Sequence, residues 1–385
     1  MSEMGGEYKS CTKCVMDTVG DDRIRFDADG VCNYCQEYER LHRLLVPPPA
    51  EAARLLAEKT EEIKAAGRTG QYDCILGLSG GVDSSYLAYL AKELGLRPLC
   101  IHFDNGWNSE QAVQNIAHIV NRLGFDLQTY VIDWNEFRDL QRAYFKASVI
   151  DIEALTDHAI FASIYRLAFK LNIKYLLSGS NVVTEGVLPY HWTHKKSDYI
   201  NIRDIHRKYG TIPLKSFPLI DKRTKDRIRR SGIETVELLN LVPYNKAEAK
   251  ETLKHALDWQ DYGGKHYESI FTKFYQAYIL PVKFKVDKRK AHLSTLICSG
   301  QIDRDQALRE LEAPLYDPES LRADKLYVLK KLGFTEEEFD RLMQEAPVPH
   351  EAFEIEGPIF NYYPILKPLR PLWHFVSGLI GRTRV

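Results

Sequence analysis

The sequence predicts an α/β fold: a doubly wound parallel sheet, preceded by a small cysteine-bound ribbon and followed by a helical domain. Three observations predict it. Apolar runs of strand length alternate with helical stretches from Tyr72 to Gly179. Four of the seven cysteines fall in two close pairs near the start. Beyond about Glu234 the apolar spacing becomes helical throughout. A chain of 385 residues has room for two or three domains and a sizeable core.

Composition excludes several classes. Lys and Arg number 52 against 53 Asp and Glu, a formal net charge of -1, which argues against a chain built to coat nucleic acid. No uninterrupted apolar segment reaches the length of a membrane span, and "MSEMGGEYKS" lacks the apolar core of a signal peptide. A soluble cytoplasmic protein with no membrane span and no nucleic-acid partner is the expectation. An odd cysteine total with paired spacing points away from a disulfide framework.

Residues 1–45 carry little periodic structure. Within them Cys11 and Cys14 stand in "CTKC" and Cys32 and Cys35 in "CNYC", with seventeen residues between the pairs. That spacing suits a four-thiolate zinc site. Such a site leaves no ligand position open, so the reading is structural; an iron–sulfur cluster is the rival. Cys74, Cys100 and Cys298 fall in apolar strand or helix text and read as core residues. Residues 46–70 contain "PPPAEAARLLAEKTEEIKAAG", a proline-stopped linker helix.

Residues 71–233 alternate. "YDCILGL", "RPLCIHF", "LQTYVIDW" and "IKYLLSG" read as strands, with "SSYLAYLAKELG", "SEQAVQNIAHIVNRLG" and "HAIFASIYRLAFKLN" as the helices between them. This alternation implies a parallel sheet covered on both faces, whose ligands bind at the carboxyl ends of the strands. Residues 234–346 read as a helical domain, through "NKAEAKETLKHALDW", "HYESIFTKFYQAYI", "DKRKAHLSTLICSG", "DRDQALREL" and "TEEEFDRLMQEA". Residues 347–385 form a tail rich in proline and aromatics, which is expected to pack back on its own domain.

The stretch "SGGVDSS", residues 79–85, sits where the first strand hands over to a helix. Gly80 and Gly81 let the backbone turn tightly, and the N–H groups opening the next helix bind anions with help from the helix dipole. Ser79, Ser84 and Ser85 add hydroxyl donors. A nucleotide-hydrolysing loop of the Walker type would carry a lysine. Here Asp83 occupies the loop, which fits Mg²⁺ bridged to pyrophosphate better than a bare γ-phosphate. An ordinary glycine-rich turn is the bland alternative; the buried strand before the loop and the repeating β/α pattern stand against it.

"SGGVDSS" resembles the pyrophosphate loop (PP-loop) of the ATP pyrophosphatases, the group of asparagine synthetase, GMP synthetase and tRNA-modifying ligases. The resemblance implies cleavage of ATP between its α- and β-phosphates, with AMP passing to a substrate oxygen and pyrophosphate held in the loop. It also implies an adenosine pocket around "IHFDNGWNS", where Phe103, Asp104, Asn105 and Trp107 are candidates. In "LLSGSNVVTEG", Gly179, Ser180 and Asn181 form a turn, and Glu185 is placed to hold Mg²⁺ or orient the substrate.

Three parts together are similar to one branch, the N-acetyl sugar amidotransferases of surface-polysaccharide (LPS O-antigen) biosynthesis. They are "CTKCVMDT…GVCNYC", "SGGVDSS" with "FDNGWNS", and the long segment from "YGGKHYES" to "QIDRDQAL". The likeness implies that ATP adenylates the carbonyl oxygen of a sugar acetamido group and that ammonia then displaces AMP to give an acetamidino group. The sugar is nucleotide-activated, with a diacetamido uronic acid as the expected form. Ammonia would come from a separate glutaminase similar to that of imidazole glycerol phosphate synthase, with a cyclase-like barrel conducting it. That agrees with the absence of a Gly-x-Cys-x-Gly nucleophile elbow here.

Lys288 and Arg289 in "KFKVDKRKAH" are the first choices for cations on the α-phosphate, by analogy with the helical region of asparagine synthetase. Lys283, Lys285, Lys290 and His292 share that run, which otherwise reads as a solvated basic face. Lys265, His266 and Glu268, and Tyr190, His191 and Trp192 in "LPYHWTHKKSDY", are candidates for substrate contact, with Lys195 for a carboxylated sugar. The alternative is a PP-loop tRNA-modifying enzyme of the thiolase or ligase type. Few reactive cysteines and the even charge balance favour the first reading.

Overall fold

The computed structural model describes residues 8–264 and 267–357. Lys265, His266 and most of the tail (358–385) lie outside the described residues. After a cysteine-bearing segment come helices α1 (Asn33–Leu45) and α2 (Pro49–Gly67), the second opened by prolines whose missing N–H costs nothing in a first turn. Then follow β1 (Cys74–Gly77), α3 (Val82–Glu93), β2 (Pro98–Asp104), α4 (Glu110–Leu123) and β3 (Asp126–Val131). Next are α5 (Trp134–Ala147), α6 (Ala154–Leu171), β4 (Tyr175–Leu177), α7 (Val182–Glu185), α8 (Tyr199–Tyr209), α9 (Lys222–Ser231) and β5 (Glu234–Val236).

The five strands pair in the order β3-β2-β1-β4-β5, all parallel. Cys74, Ile75 and Leu76 of β1 are fully buried because helices cover both faces of a parallel sheet. The chain moves to one side of β1 for β2 and β3 and to the other for β4 and β5. The β1–β4 crevice is therefore the point where strand order reverses, the usual ligand seat of such sheets. β5 was not visible in the sequence: three residues, two of them exposed, carry no apolar run. The sheet thus extends past 233, the boundary read from the text.

The remaining helices are α10 (Lys246–Leu257), α11 (Ile270–Phe274), α12 (Lys288–Cys298), α13 (Arg304–Glu312), α14 (Pro318–Leu332) and α15 (Glu336–Gln344). A wide-turn segment, Tyr275–Phe284, continues α11 and contains Pro281. These helices share cores with the sheet. Leu253, Leu257 and Trp259 pack in one cluster with Leu87 and Ala88 of α3. Phe271, Phe274 and Phe339 pack in another with Phe137, Tyr144 and Phe145 of α5. The cysteine segment rests on α12: Val15 N–H donates to Ser294 Oγ (3.3 Å), and Arg304 donates to the carbonyls of Cys14 (3.0 Å) and Cys11 (3.2 Å). At 347–357 the chain does pack back, with Val348 N–H on the Ser148 carbonyl and His350 Nδ1 2.8 Å from Asn201 Oδ1 of α8. No helix among the described residues is long and apolar enough to cross a membrane.

Candidate active site

The loop after β1 turns through Gly80, whose φ of +82° and close approach to the Ala112 carbonyl leave no room for a Cβ. Its own carbonyl accepts from the buried Trp259 indole at 2.9 Å. Ser79 Oγ lies 3.1 Å from Ser84 Oγ and accepts from Gly81 N–H at 3.2 Å. Val82 N–H donates to the Tyr262 hydroxyl at 3.3 Å. The turn after β4 closes in: a Cβ on Gly179 would meet Ser84 N at 3.1 Å. Two strand ends and the start of α3 thus form one concave seat.

Asp83 is held from behind. Its Oδ1 accepts from Tyr244 (2.6 Å), Thr184 (3.3 Å) and Asn181 (3.4 Å). Burial and the neighbouring Asp83 carboxylate push the Tyr244 phenol well above its ordinary range, so it remains a donor. Asp83 and Glu185 both face a cleft of about 300 Å³ with Ser79, Ser84, Gly179 and Ser180. Acids beside so many anion donors fit a divalent cation shared with phosphate. Lys246, Lys250 and His292 face the same cleft.

Two further cavities open from it. One, of about 340 Å³, lies against the sheet end and α6, lined by Ile75, Ile101, Phe103, Ile164 and Leu176, with Asn105, Glu153 and Glu268 at its polar end. Its size suits a nucleoside. His102 also lines it; its Nδ1 is 3.1 Å from the Leu78 carbonyl and its Nε2 3.0 Å from Asn108 Nδ2, and burial lowers its pKa. That pattern fits a neutral ring with the proton on Nδ1. Burial raises the Glu153 carboxyl to about 7, against the Thr272 hydroxyl that donates to it at 2.7 Å. The other cavity, of about 460 Å³, lies between α7 and α12, with Glu185, Tyr267, Lys288, Arg289 and His292 on its wall. The first cavity shares Ser79 and Glu268 with the polar cleft, and the second shares Glu185 and His292.

Several expected site residues are elsewhere. Ser85 is fully buried and Asp104 serves its own turn, accepting from Gly106 N–H at 2.8 Å. Trp107 is core, edge-on to Trp134. Asn181 is 4% exposed and caps α7 beneath Asp83, so it supports the seat without lining it. Tyr190, His191 and Trp192 lie away from all three cavities, against the cysteine segment: Trp192 Nε1–H donates to the Gly20 carbonyl and Arg23 to the Tyr190 hydroxyl. Lys195 and Lys290 are paired with Glu356 and Asp17. Arg289 is spent on Asp287 and the Ala313 carbonyl, whereas Lys288, drawn below its ordinary pKa by burial, has no salt bridge among the described residues. Sequence reading missed Tyr244, Lys246, Lys250, Trp259 and Tyr262 as site residues; they come from α10 and its flanking loops, where Lys246, Lys250 and Trp259 read only as parts of a helical segment.

The four N-terminal thiols converge: Cys14–Cys32 and Cys32–Cys35 are 3.7 Å apart and Cys11–Cys35 is 3.9 Å. A zinc tetrahedron with Zn–S of about 2.3 Å has edges of about 3.8 Å. Lys13, Cys14 and Cys32 N–H groups point at Cys11 Sγ within 3.4 Å, as thiolate ligands require. The cluster fits structural zinc.

Residues 56–197 match the family model described as NAD synthase, and residues 268–367 match "LPS biosynthesis protein WbpG-like, C-terminal domain". The uncharacterized protein MJ1599 of Methanocaldococcus jannaschii is 25% identical over 314 residues, 79% of this chain and 93% of its own length. The glutamine-hydrolyzing GMP synthase of Thermosipho melanesiensis is 27% identical over 202 residues, 49% of this chain but 37% of the synthase. The tRNA-specific 2-thiouridylase MnmA of Clostridioides difficile is 23% identical over 221 residues, 50% of this chain and 58% of MnmA. The chain thus joins an NAD synthase-like segment, which carries the loop after β1, to a WbpG-like C-terminal segment.

Proposed function

We propose that this protein adenylates the carbonyl oxygen of a sugar N-acetyl group and replaces that oxygen with ammonia, giving an acetamidino sugar, AMP and pyrophosphate. One observation carries the reading: the nucleoside-sized cavity and the α7–α12 cavity both border the polar cleft at the phosphate loop, the first through Ser79, Gly179 and Glu268 and the second through Glu185 and His292. Adenine in the first and the acetamido group in the second would put the α-phosphate between them.

An amide oxygen is a poor leaving group, and adenylation turns it into part of a phosphate ester. The loop N–H groups and Ser79 and Ser84 receive the pyrophosphate. Asp83 and Glu185 would hold Mg²⁺, which supplies charge neutralisation for the polyphosphate. Lys288 stabilises charge developing on the α-phosphate, with Gly179 and Ser180 on the nucleotide. The sugar enters between α7 and α12; Lys265 and His266 flank that route in sequence. Ammonia comes from a separate glutaminase similar to that of imidazole glycerol phosphate synthase, through a cyclase-like barrel protein. In support, four cysteines are gathered in the N-terminal cluster, Cys298 lies against that cluster with its Sγ 3.6 Å from Cys35 Sγ, and Cys74 and Cys100 are buried in strands. The WbpG-like match favours a nucleotide-activated LPS sugar over tRNA as acceptor.

The test is to supply ATP, Mg²⁺, ammonium and a nucleotide-activated diacetamido uronic acid and analyse the products. AMP, pyrophosphate and a sugar with oxygen exchanged for NH are expected, and Asp83→Asn should abolish AMP release while leaving the protein folded. ADP as product, or AMP formed only with tRNA, would overturn the proposal.

A further inference from the structure

The segment "LPYHWTHKKSDY" does not reach the cleft, yet it makes a polar cluster of its own. Where it meets the cysteine segment, His191 Nε2 lies 3.1 Å from Asp21 Oδ1, and ligand atoms of Asp21, Asp22 and His191 all fall within 4.8 Å of one another. Asp21 is 2% exposed. Its Oδ1 accepts from Arg23 N–H at 2.9 Å, but its Oδ2 has no hydrogen-bond partner, and neither has either ring nitrogen of His191. Burial and the neighbouring Asp21 carboxylate push the Tyr34 phenol up, so it stays protonated beside Asp21.

A buried carboxylate oxygen and imidazole nitrogens that approach without a well-formed hydrogen bond are costly in a protein interior. A cation between them would satisfy both. Ligands about 2.1 Å from one ion sit roughly 3.0–3.4 Å apart at octahedral or tetrahedral angles, the spacing that Asp21 and His191 already have. Asp22 is exposed and can close on the same ion from the solvent side. Arg23, the nearby cation, is turned away onto Tyr190, with its guanidinium 5.1 Å from the ring centre.

We infer that Asp21, Asp22 and His191 form a second metal site, distinct from the four-cysteine cluster, for a divalent transition ion of the manganese or zinc type. One imidazole and two carboxylates leave positions for water, and hard oxygen donors set this site apart from the thiolate one. The ion would staple the cysteine segment to the loop after α7, where Trp192 and the Gly20 carbonyl already join them. This inference does not depend on the proposed reaction.

The probe is Mn²⁺ titrated into the full-length, zinc-loaded chain, because manganese competes poorly for thiolates. Bound Mn²⁺ is read by electron paramagnetic resonance. In Asp83→Asn, which silences the phosphate-loop acid, one equivalent should still bind. Asp22→Asn, on the surface, and His191→Gln should each weaken it at least tenfold while circular dichroism stays unchanged. With excess Zn²⁺, native mass spectrometry should count one more zinc in the wild type than in either variant. Binding that both variants leave intact, binding that vanishes in Asp83→Asn, or no second ion with either metal would overturn the inference.

Discussion

Tyr244→Phe offers the sharpest probe of how the phosphate seat is held. The substitution removes one hydroxyl and keeps the ring, whose centre lies 5.3 Å from that of Tyr86 in a tilted contact. The hydroxyl makes the shortest of three bonds to Asp83 Oδ1, at 2.6 Å against 3.3 Å and 3.4 Å. A hydrogen bond to a charged acceptor is worth about 1.5–3 kcal/mol. Thr184 and Asn181 remain and can tighten, so the lower end applies, about 1.5 kcal/mol and a fall of about 3 °C in Tm. Released on one side, the carboxylate drifts, and a misplacement on the order of 1 Å at a reacting centre costs about 100-fold. AMP release should therefore fall about 10- to 100-fold, measured alongside thermal unfolding. Stability lost with turnover intact would remove Asp83 from the chemistry. If neither changed, the phenol would not be what positions it.

Lys288→Met should cut AMP formation by about 100-fold or more without loss of stability, since it deletes an ammonium drawn down by burial that makes no salt bridge among the described residues; turnover equal to wild type would exclude Lys288 from the α-phosphate. Cys35→Ser should lose zinc, removing folding free energy on the order of 10 kcal/mol from the segment that supports α12, so melting temperature and activity should drop together. An unchanged midpoint after confirmed zinc loss would defeat the structural role. His158 is buried, with Nδ1 2.7 Å from the Lys196 carbonyl and Nε2 accepting from Ile220 N–H at 2.9 Å. Burial holds its pKa at about 4, below the ordinary 6.5. Between those values the unfolded chain binds the extra proton, so stability should fall by roughly 3 kcal/mol as pH drops from 6.5 to 4. His158→Gln should flatten that limb in urea unfolding measured across the range; an equally steep limb would refute the assignment.

The parts of the site that were legible in the text share one property: they are local. "SGGVDSS" announces itself because a strand, two glycines and a helix start must be consecutive to seat an anion. The two cysteine pairs do so because knuckle ligands lie three residues apart. What failed was whatever needed knowledge of neighbours. Trp192 and Tyr190 looked like pocket residues but pack on the cysteine segment, and Arg289 looked equal to Lys288 until Asp287 was seen to bind it. Tyr244 and Trp259 brace the loop from beyond the last strand, a reach no local pattern reports.

By itself the sequence determined the parallel α/β class, the glycine-rich turn from strand to helix and the pairing of the four N-terminal cysteines, because periodicity and ligand spacing act over a few residues. Only the tertiary structure decided that Arg289 is paired with Asp287 beside Lys288, what holds Asp83, and that the later helices share cores with the sheet. Those outcomes depend on burial and pairing between segments more than a hundred residues apart, as between Asp83 and Tyr244. Competition among distant side chains for one partner is settled only when the chain closes on itself.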